Sequence, residues 1–131
     1  MQYPRFHHYG IPIQDPMKGE VYHEEISLHV VSFFKNPYRI EYFRFDESYK
    51  DNPKVKDHPA IISQVPHIAF IVQNLEKEIE GKEIVFGPNL PLDNWKVCFI
   101  MENGILIELI ETTLNDFEII DLVQRSEKNR T

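Results

Sequence analysis

The stretch NGILIELIE, residues 103–111, sets one carboxylate, Glu108, in the middle of an otherwise apolar run. Strand alternation places Ile105, Ile107 and Leu109 on one face and Leu106, Glu108 and Ile110 on the other. The acid therefore stands on one wall of a sheet, among side chains that favour burial. A carboxylate buried there without a partner is costly, so it must be neutralised, paired or coordinated. Asn103-Gly104 is a strong hairpin signal, because both residues tolerate positive φ. It joins ILIELIE to the preceding run WKVCFIM, residues 95–101.

The same alternation recurs outward from this hairpin. The runs FHHYGIPI (6–13), EEISLHVVSFF (24–34), YRIEYFRF (38–45), QVPHIAFIV (64–72) and EIVF (83–86) are short, apolar at a period near two, and bounded by Pro, Asn and Gly. A sheet-dominated chain is expected. NLEKEIEGKE (74–83) reads as one short helix, with Asn74 as N-cap and Leu75 and Ile79 on one face. QDPMKGE (14–20) and the Pro-rich GPNLPLDN (87–94) read as loops, and DESYKDNPKVKDHP (46–59) as a polar linker. The tail from Leu114 onward is expected to be a short amphipathic helix with Phe117, Ile120 and Val123 facing inward.

The two halves of the chain repeat one pattern. His8-Tyr9-Gly10 is echoed by His67-Ile68-Ala69, an imidazole followed two positions later by a small residue. The segment from Asn36 to Phe43 is echoed by Asn103 to Ile110, each a turn, then Ile-Glu, then two bulky apolar residues. A duplicated module follows, and the repeat multiplies the opening puzzle. Each copy opens on a strand carrying His and closes on one carrying Glu. If the copies pack with pseudo-twofold symmetry, edge strand against edge strand, His8, His67, Glu41 and Glu108 converge. Two imidazoles and two carboxylates suit a divalent transition metal, whose charge offsets the desolvation of both acids. Any one of these residues alone would ordinarily be structural or solvated. Their matched placement in two repeats is what points to a site.

Bulk properties bound the alternatives. The 131 residues, 42% of them hydrophobic, suffice for one domain with a core. A formal charge of −7 argues against a nucleic-acid partner. One cysteine, Cys98, excludes an internal disulfide and fits a reducing compartment. The N-terminus has no signal-type apolar region, and no run approaches the length of a membrane span. A soluble, cytoplasmic protein without a membrane partner is expected.

The stretches HHYGIPI, IEYFRFD, PHIAFIVQNLEKEI and NGILIELIE give the chain a further property: it resembles the vicinal oxygen chelate superfamily, which includes glyoxalase I, methylmalonyl-CoA epimerase, extradiol dioxygenases and bleomycin-resistance proteins. The resemblance spans roughly residues 6–111 and is closer in the second half. It implies an α+β fold of two short tandem βαβββ-like modules forming a cup-shaped mixed sheet around a metal, the first module truncated. The whole chain, 1–131, is then one such domain, with module one at about 5–46, a linker at 47–63, module two at 64–112 and a tail at 113–131. By position, the family's ligands fall on His8, Glu41, His67 and Glu108; spacing to the small residue selects His8 over His7, which would face the other way. The resemblance further implies a glyoxalase-like lyase or isomerase. It would act on a small oxygen-rich metabolite through a metal-stabilised enediolate or oxyanion, with nickel, zinc, manganese or iron as cofactor. Glu41 or Glu108 would be the catalytic base. The alternative is a metal-free small-molecule-binding protein of the bleomycin-resistance kind. A homodimer is expected, since short modules leave sheet edges to cover and family members often dimerise.

Overall fold

The computed structural model describes residues 2–130. Positions 1 and 131, which the expected domain range includes, lie outside the described residues. Among the described residues, eight strands form one mixed sheet: β1 (Arg5–Pro12), β2 (Val21–His23), β3 (Leu28–Val31), β4 (Ile40–Phe45), β5 (His67–Val72), β6 (Glu83–Leu92), β7 (Trp95–Glu102) and β8 (Ile105–Glu111). Their order is β2-β3-β4-β1-β5-β8-β7-β6. Within each half the first strand lies parallel to the fourth, β1 to β4 and β5 to β8, and the remaining pairs are antiparallel. The halves meet where β1 runs antiparallel to β5. The repeat read in the sequence is thus a structural repeat, and the architecture is the expected α+β cup.

The crossovers differ between the halves. In the second, a single turn of helix, α2 (Leu75–Glu78), follows β5, and the Asn74 side chain accepts from the Lys77 N–H as its N-cap. Leu75 and Ile79 pack with Val72, Cys98, Ile100 and Leu109 on the outer face of the sheet. In the first half an irregular segment joins β1 to β2, as expected from its proline and glycine. The three-residue strand Val21–His23 lies between the loop and the run read in the sequence and belongs to neither.

On the inner face, Ala69, Ile71, Val97 and Ile110 form a core with Phe33 and with Ile119 of the C-terminal helix. That helix, α3 (Asp116–Lys128), starts with a capping box between Asn115 and Glu118. Its phase departs from expectation. Ile119 is buried and Ile120 and Val123 pack against the core, but Phe117 is 87% exposed. The inward stripe runs through 119, 120, 123 and 127, and Phe117 falls roughly 100° from its centre at 3.6 residues per turn. Polar tethers hold that phase: Ser32 donates to the buried Glu127, with Lys35 beside it, and Arg39 forms a two-point ion pair with Asp116.

Two stretches expected to be irregular are ordered differently. Strand β6 continues through GPNLPL to Leu92, leaving a two-residue turn before Trp95. It lies at the sheet edge and its register with β7 shifts three times, which lets a strand carry prolines without losing its pairing. The polar stretch after β4 contains a 3-10 turn at Glu47–Asp51 and a short helix, α1 (Ala60–Gln64). His58 stacks on Phe45 at 4.2 Å between ring centroids, so this stretch is packed against the sheet. Among the described residues, no helix is long and apolar enough to cross a membrane.

Candidate metal centre

The four candidate residues occupy two adjacent cross-strand rows at the joint between the halves. In one row Glu41 on β4 is opposite Gly10 on β1, which is opposite His67 on β5. In the other, His8 on β1 is opposite Ala69 on β5, which is opposite Glu108 on β8. Each Glu and His is separated by one small residue, so the long side chains lean over it toward each other. Gly10 cannot be larger: a Cβ there would overlap the His67 imidazole.

The leaning brings all four groups together. His8 Nε2 lies 3.2 Å from Glu41 Oε2 and 3.4 Å from Glu108 Oε1, and His67 Nε2 lies 3.2 Å from the same Glu108 oxygen. Donor atoms of His8, Glu41 and His67 fall within 4.8 Å of one another, a group able to hold a metal ion. Donors sharing one transition ion at ordinary bond lengths stand about 3 to 3.5 Å apart, and the contacts of His8 with Glu41 and Glu108 and of His67 with Glu108 fall in that range. The angles matter as much as the distances. Both imidazole Nε2 atoms are buried, and neither makes a hydrogen bond of acceptable geometry, although carboxylate oxygens lie close by. Buried polar atoms are normally partnered, so two such nitrogens beside carboxylate oxygens leave ligating capacity that another group could take up. The donors of His8, Glu41 and His67, two nitrogens and an anionic oxygen, are of a kind that can ligate a metal ion, and Glu108 touches both imidazoles.

The electrostatics describe what the cluster does by itself. Burial alone would lower the His8 pKa, but Glu41's charge and contacts from both carboxylates reverse this and push it up to about 10. Burial would likewise raise both acids, yet the His67 and His8 contacts hold Glu108 well below the carboxylate range, and His8 lowers Glu41. Without a cation, a proton on His8 balances part of the acids' charge. The acids are not equivalent. Glu108 touches both imidazoles and its side chain is 14% exposed, whereas Glu41 touches one and is 27% exposed. Both histidine side chains are 5% exposed, so solvent reaches the cluster mainly past Glu41.

His7 corrects the alternation expected of β1. The register with β5 slips between Phe6 and His8, so His7 sits in a bulge, the distortion that re-aims a side chain. Rather than facing away, it is buried at 2% exposure with Nδ1 only 2.7 Å from His8 Nδ1. Phe33 packs on His7 at 4.5 Å and stacks near His8 at 6.2 Å. Burial first, then the charges of His8 and Arg39, push the His7 pKa down to about 4. Neither His7 nor Phe33 was identified from sequence. The doubled His was the visible signal, but a bulge breaks the period that alternation relies on.

Other residues take structural duties. Arg44 is held by two hydrogen bonds to Glu20, and Arg39 by Asp116 and the His7 carbonyl, so both arginines already have anionic or carbonyl partners. His29 on β3 is paired opposite Arg44 on β4. Phe43 and Phe99 flank His67 at 5.6 and 5.3 Å, and Trp95 lies against His7. Cys98 is fully buried on the opposite face, where burial pushes its thiol pKa up. Two surface clefts, about 130 and 230 Å³, are lined by residues such as Phe70 and Ile107, and Leu75 and Leu90. Neither includes any of the four cluster residues.

No family model matches the sequence, and no curated protein matches it. Solved structures do share its fold. A hypothetical protein from Bacillus halodurans C-125 superposes with a TM-score of 0.54 at 14% identity, over 87% of this chain and 98% of that one. Methylmalonyl-CoA epimerase from Mycobacterium tuberculosis superposes with a TM-score of 0.50 at 16% identity, over 84% of this chain and 89% of that one. Its fold is the vicinal oxygen chelate fold expected from the sequence, and this chain has it.

Proposed function

We propose that the protein is a metal-dependent lyase or isomerase of the glyoxalase kind, with His8, Glu41, His67 and Glu108 holding a divalent nickel, zinc, manganese or iron ion. One observation carries this reading: two buried imidazole Nε2 atoms without hydrogen bonds converge with two carboxylates at coordination spacing. A shared fold hosts many chemistries, so the reading rests on the site rather than on the likeness to an epimerase. When bound, the ion would supply Lewis-acid stabilisation for negative charge developing on adjacent oxygens of a small metabolite. Glu108, touching both imidazoles, keeps the cluster assembled. Glu41 is the freer and more exposed acid, and we assign it the proton transfer at the carbon beside those oxygens. Phe43 and Phe99 keep water from the His67 side.

The test is metal analysis of protein purified without chelator. Stoichiometric nickel, zinc, manganese or iron that is lost in Glu108→Gln supports the enzyme. A protein with no metal, and no thermal shift on adding divalent ions, supports the second reading, a metal-free small-molecule-binding protein. The proton held by His8 favours that alternative, because it balances the acids without any ion. We also propose a homodimer, because the sheet ends in the edge strands β2 and β6. A monomer in sedimentation experiments would remove it.

A further inference from the structure

His7 lies outside the four-residue set, yet its ring is nine-tenths buried and points at a member of that set. The contact is between like atoms: His7 Nδ1 and His8 Nδ1 are 2.7 Å apart. Two imidazole nitrogens at that distance accommodate one proton between them, so one ring donates and the other accepts. The direction decides what His8 can do. If His7 donates, a neutral His8 must carry its own proton on Nε2, and that nitrogen has no lone pair for a cation. If His8 donates from Nδ1, its Nε2 lone pair is free and faces Glu41 and Glu108.

We infer that His7 is a positioning residue, whose Nδ1 accepts a hydrogen bond from His8 Nδ1–H and so commits the His8 Nε2 lone pair to the point between the carboxylates. The inference rests on the metal reading above and assigns a supporting role that the four ligands lack among themselves. Metal-binding imidazoles are ordinarily oriented by a hydrogen bond to the second ring nitrogen. His8 has one; His67 Nδ1 is buried without a hydrogen-bond partner. The β1 bulge makes this possible, since it turns two consecutive histidines toward the same interior. The His7 ring is held in turn by Phe33 and Trp95, and Arg39 donates to its carbonyl. In the accepting role His7 carries its own proton on Nε2, which is buried without a hydrogen-bond partner.

Two measurements test this. Nitrogen-15 NMR of the metal-free wild type should find His7 as the Nε2–H tautomer; an Nδ1–H tautomer overturns the assignment without reference to metal. Co²⁺ titration by calorimetry and visible spectroscopy should then separate two variants. Asparagine can place an oxygen acceptor near the position of Nδ1, so His7→Asn should bind Co²⁺ within about threefold of wild type, whereas His7→Leu should bind about 10 to 100-fold more weakly. Equal binding by His7→Leu and wild type sinks the assignment, as does equal weakening in both variants, which would make ring packing the cause. Should His7→Leu fail to fold, the wild-type tautomer and the Asn variant decide. If the wild type takes up no Co²⁺, the metal reading has failed; if it does and only the variant pattern is wrong, His7's role alone has failed.

Discussion

The two halves of the sheet have the same connectivity and offer the same pair of residues, yet they give those residues different surroundings. In the second half α2 packs on the outer face and α3 on the inner one, and Glu108 lies deep between both imidazoles. In the first half the helical crossover is missing, β1 is bulged, His8 has a second histidine behind it, and Glu41 is nearly twice as exposed as Glu108. Duplication therefore sets where four side chains stand. What packs around each copy sets how deeply each acid is buried and how many imidazoles it touches. The difference is one of environment, the usual means by which two chemically identical carboxylates acquire separate roles.

The largest expected break in this comparison is between the two acids. Glu108→Gln should abolish stoichiometric metal, a loss greater than the about 10 to 100-fold typical of an outer-shell change, whereas Glu41→Gln should retain more of it. Metal content and Co²⁺ affinity of the two variants, side by side, check the ranking. Equal losses would mean that the acids are equivalent despite their different exposure.

The next effect concerns His8, whose proton must leave before a cation can enter. Metal affinity should rise by up to tenfold per pH unit until about pH 10, the pKa to which His8 is pushed. In the metal-free protein the sign is opposite. The stability contributed by that raised pKa is fully present below the ordinary histidine value of 6.5 and is lost as pH rises through about 10. Thermal melts across this window, with and without excess metal, should therefore move apart as pH increases.

A smaller contrast tests the two residues between the rows. Gly10→Ala forces a methyl group into the His67 ring, and should cost about 1 to 3 kcal/mol as well as metal affinity. Ala69→Gly, the corresponding change in the other row, leaves a gap and should cost about 0.5 to 1 kcal/mol with the ligands undisturbed. Denaturant melts and Co²⁺ titrations distinguish them. The smallest effect is expected on α3, where Phe117→Ala should change stability by no more than about 0.5 kcal/mol because the ring is exposed.

Much of this arrangement was legible in residue order. Alternation, the Asn103-Gly104 turn and the His and Glu echoes place both halves in the sheet, and the edge-to-edge packing supposed for the two copies is realised by β1 against β5. Other features resisted the same reading. Phe117 looked like an inward residue because it shares a three-residue spacing with Ile120 and Val123, but ion pairs at Asp116 and Glu127 set the rotation of the helix. The β6 prolines resembled a loop because pairing along an irregular edge leaves little periodic trace.

Residue order by itself determined the repeat, the strand faces and the identity of four polar residues set among apolar ones, since alternation is a local property of an extended backbone. Tertiary structure alone decided that His7 turns inward, that Glu108 bridges two imidazoles while Glu41 stays nearer to solvent, and that α3 fills part of the inner face. Those outcomes depend on one bulge and on contacts between segments up to about a hundred residues apart, such as Ser32 with Glu127. The physical reason is the range of the forces involved. Periodic burial can be read from neighbouring residues, whereas side-chain orientation and the field around an acid are summed over groups that only folding brings together.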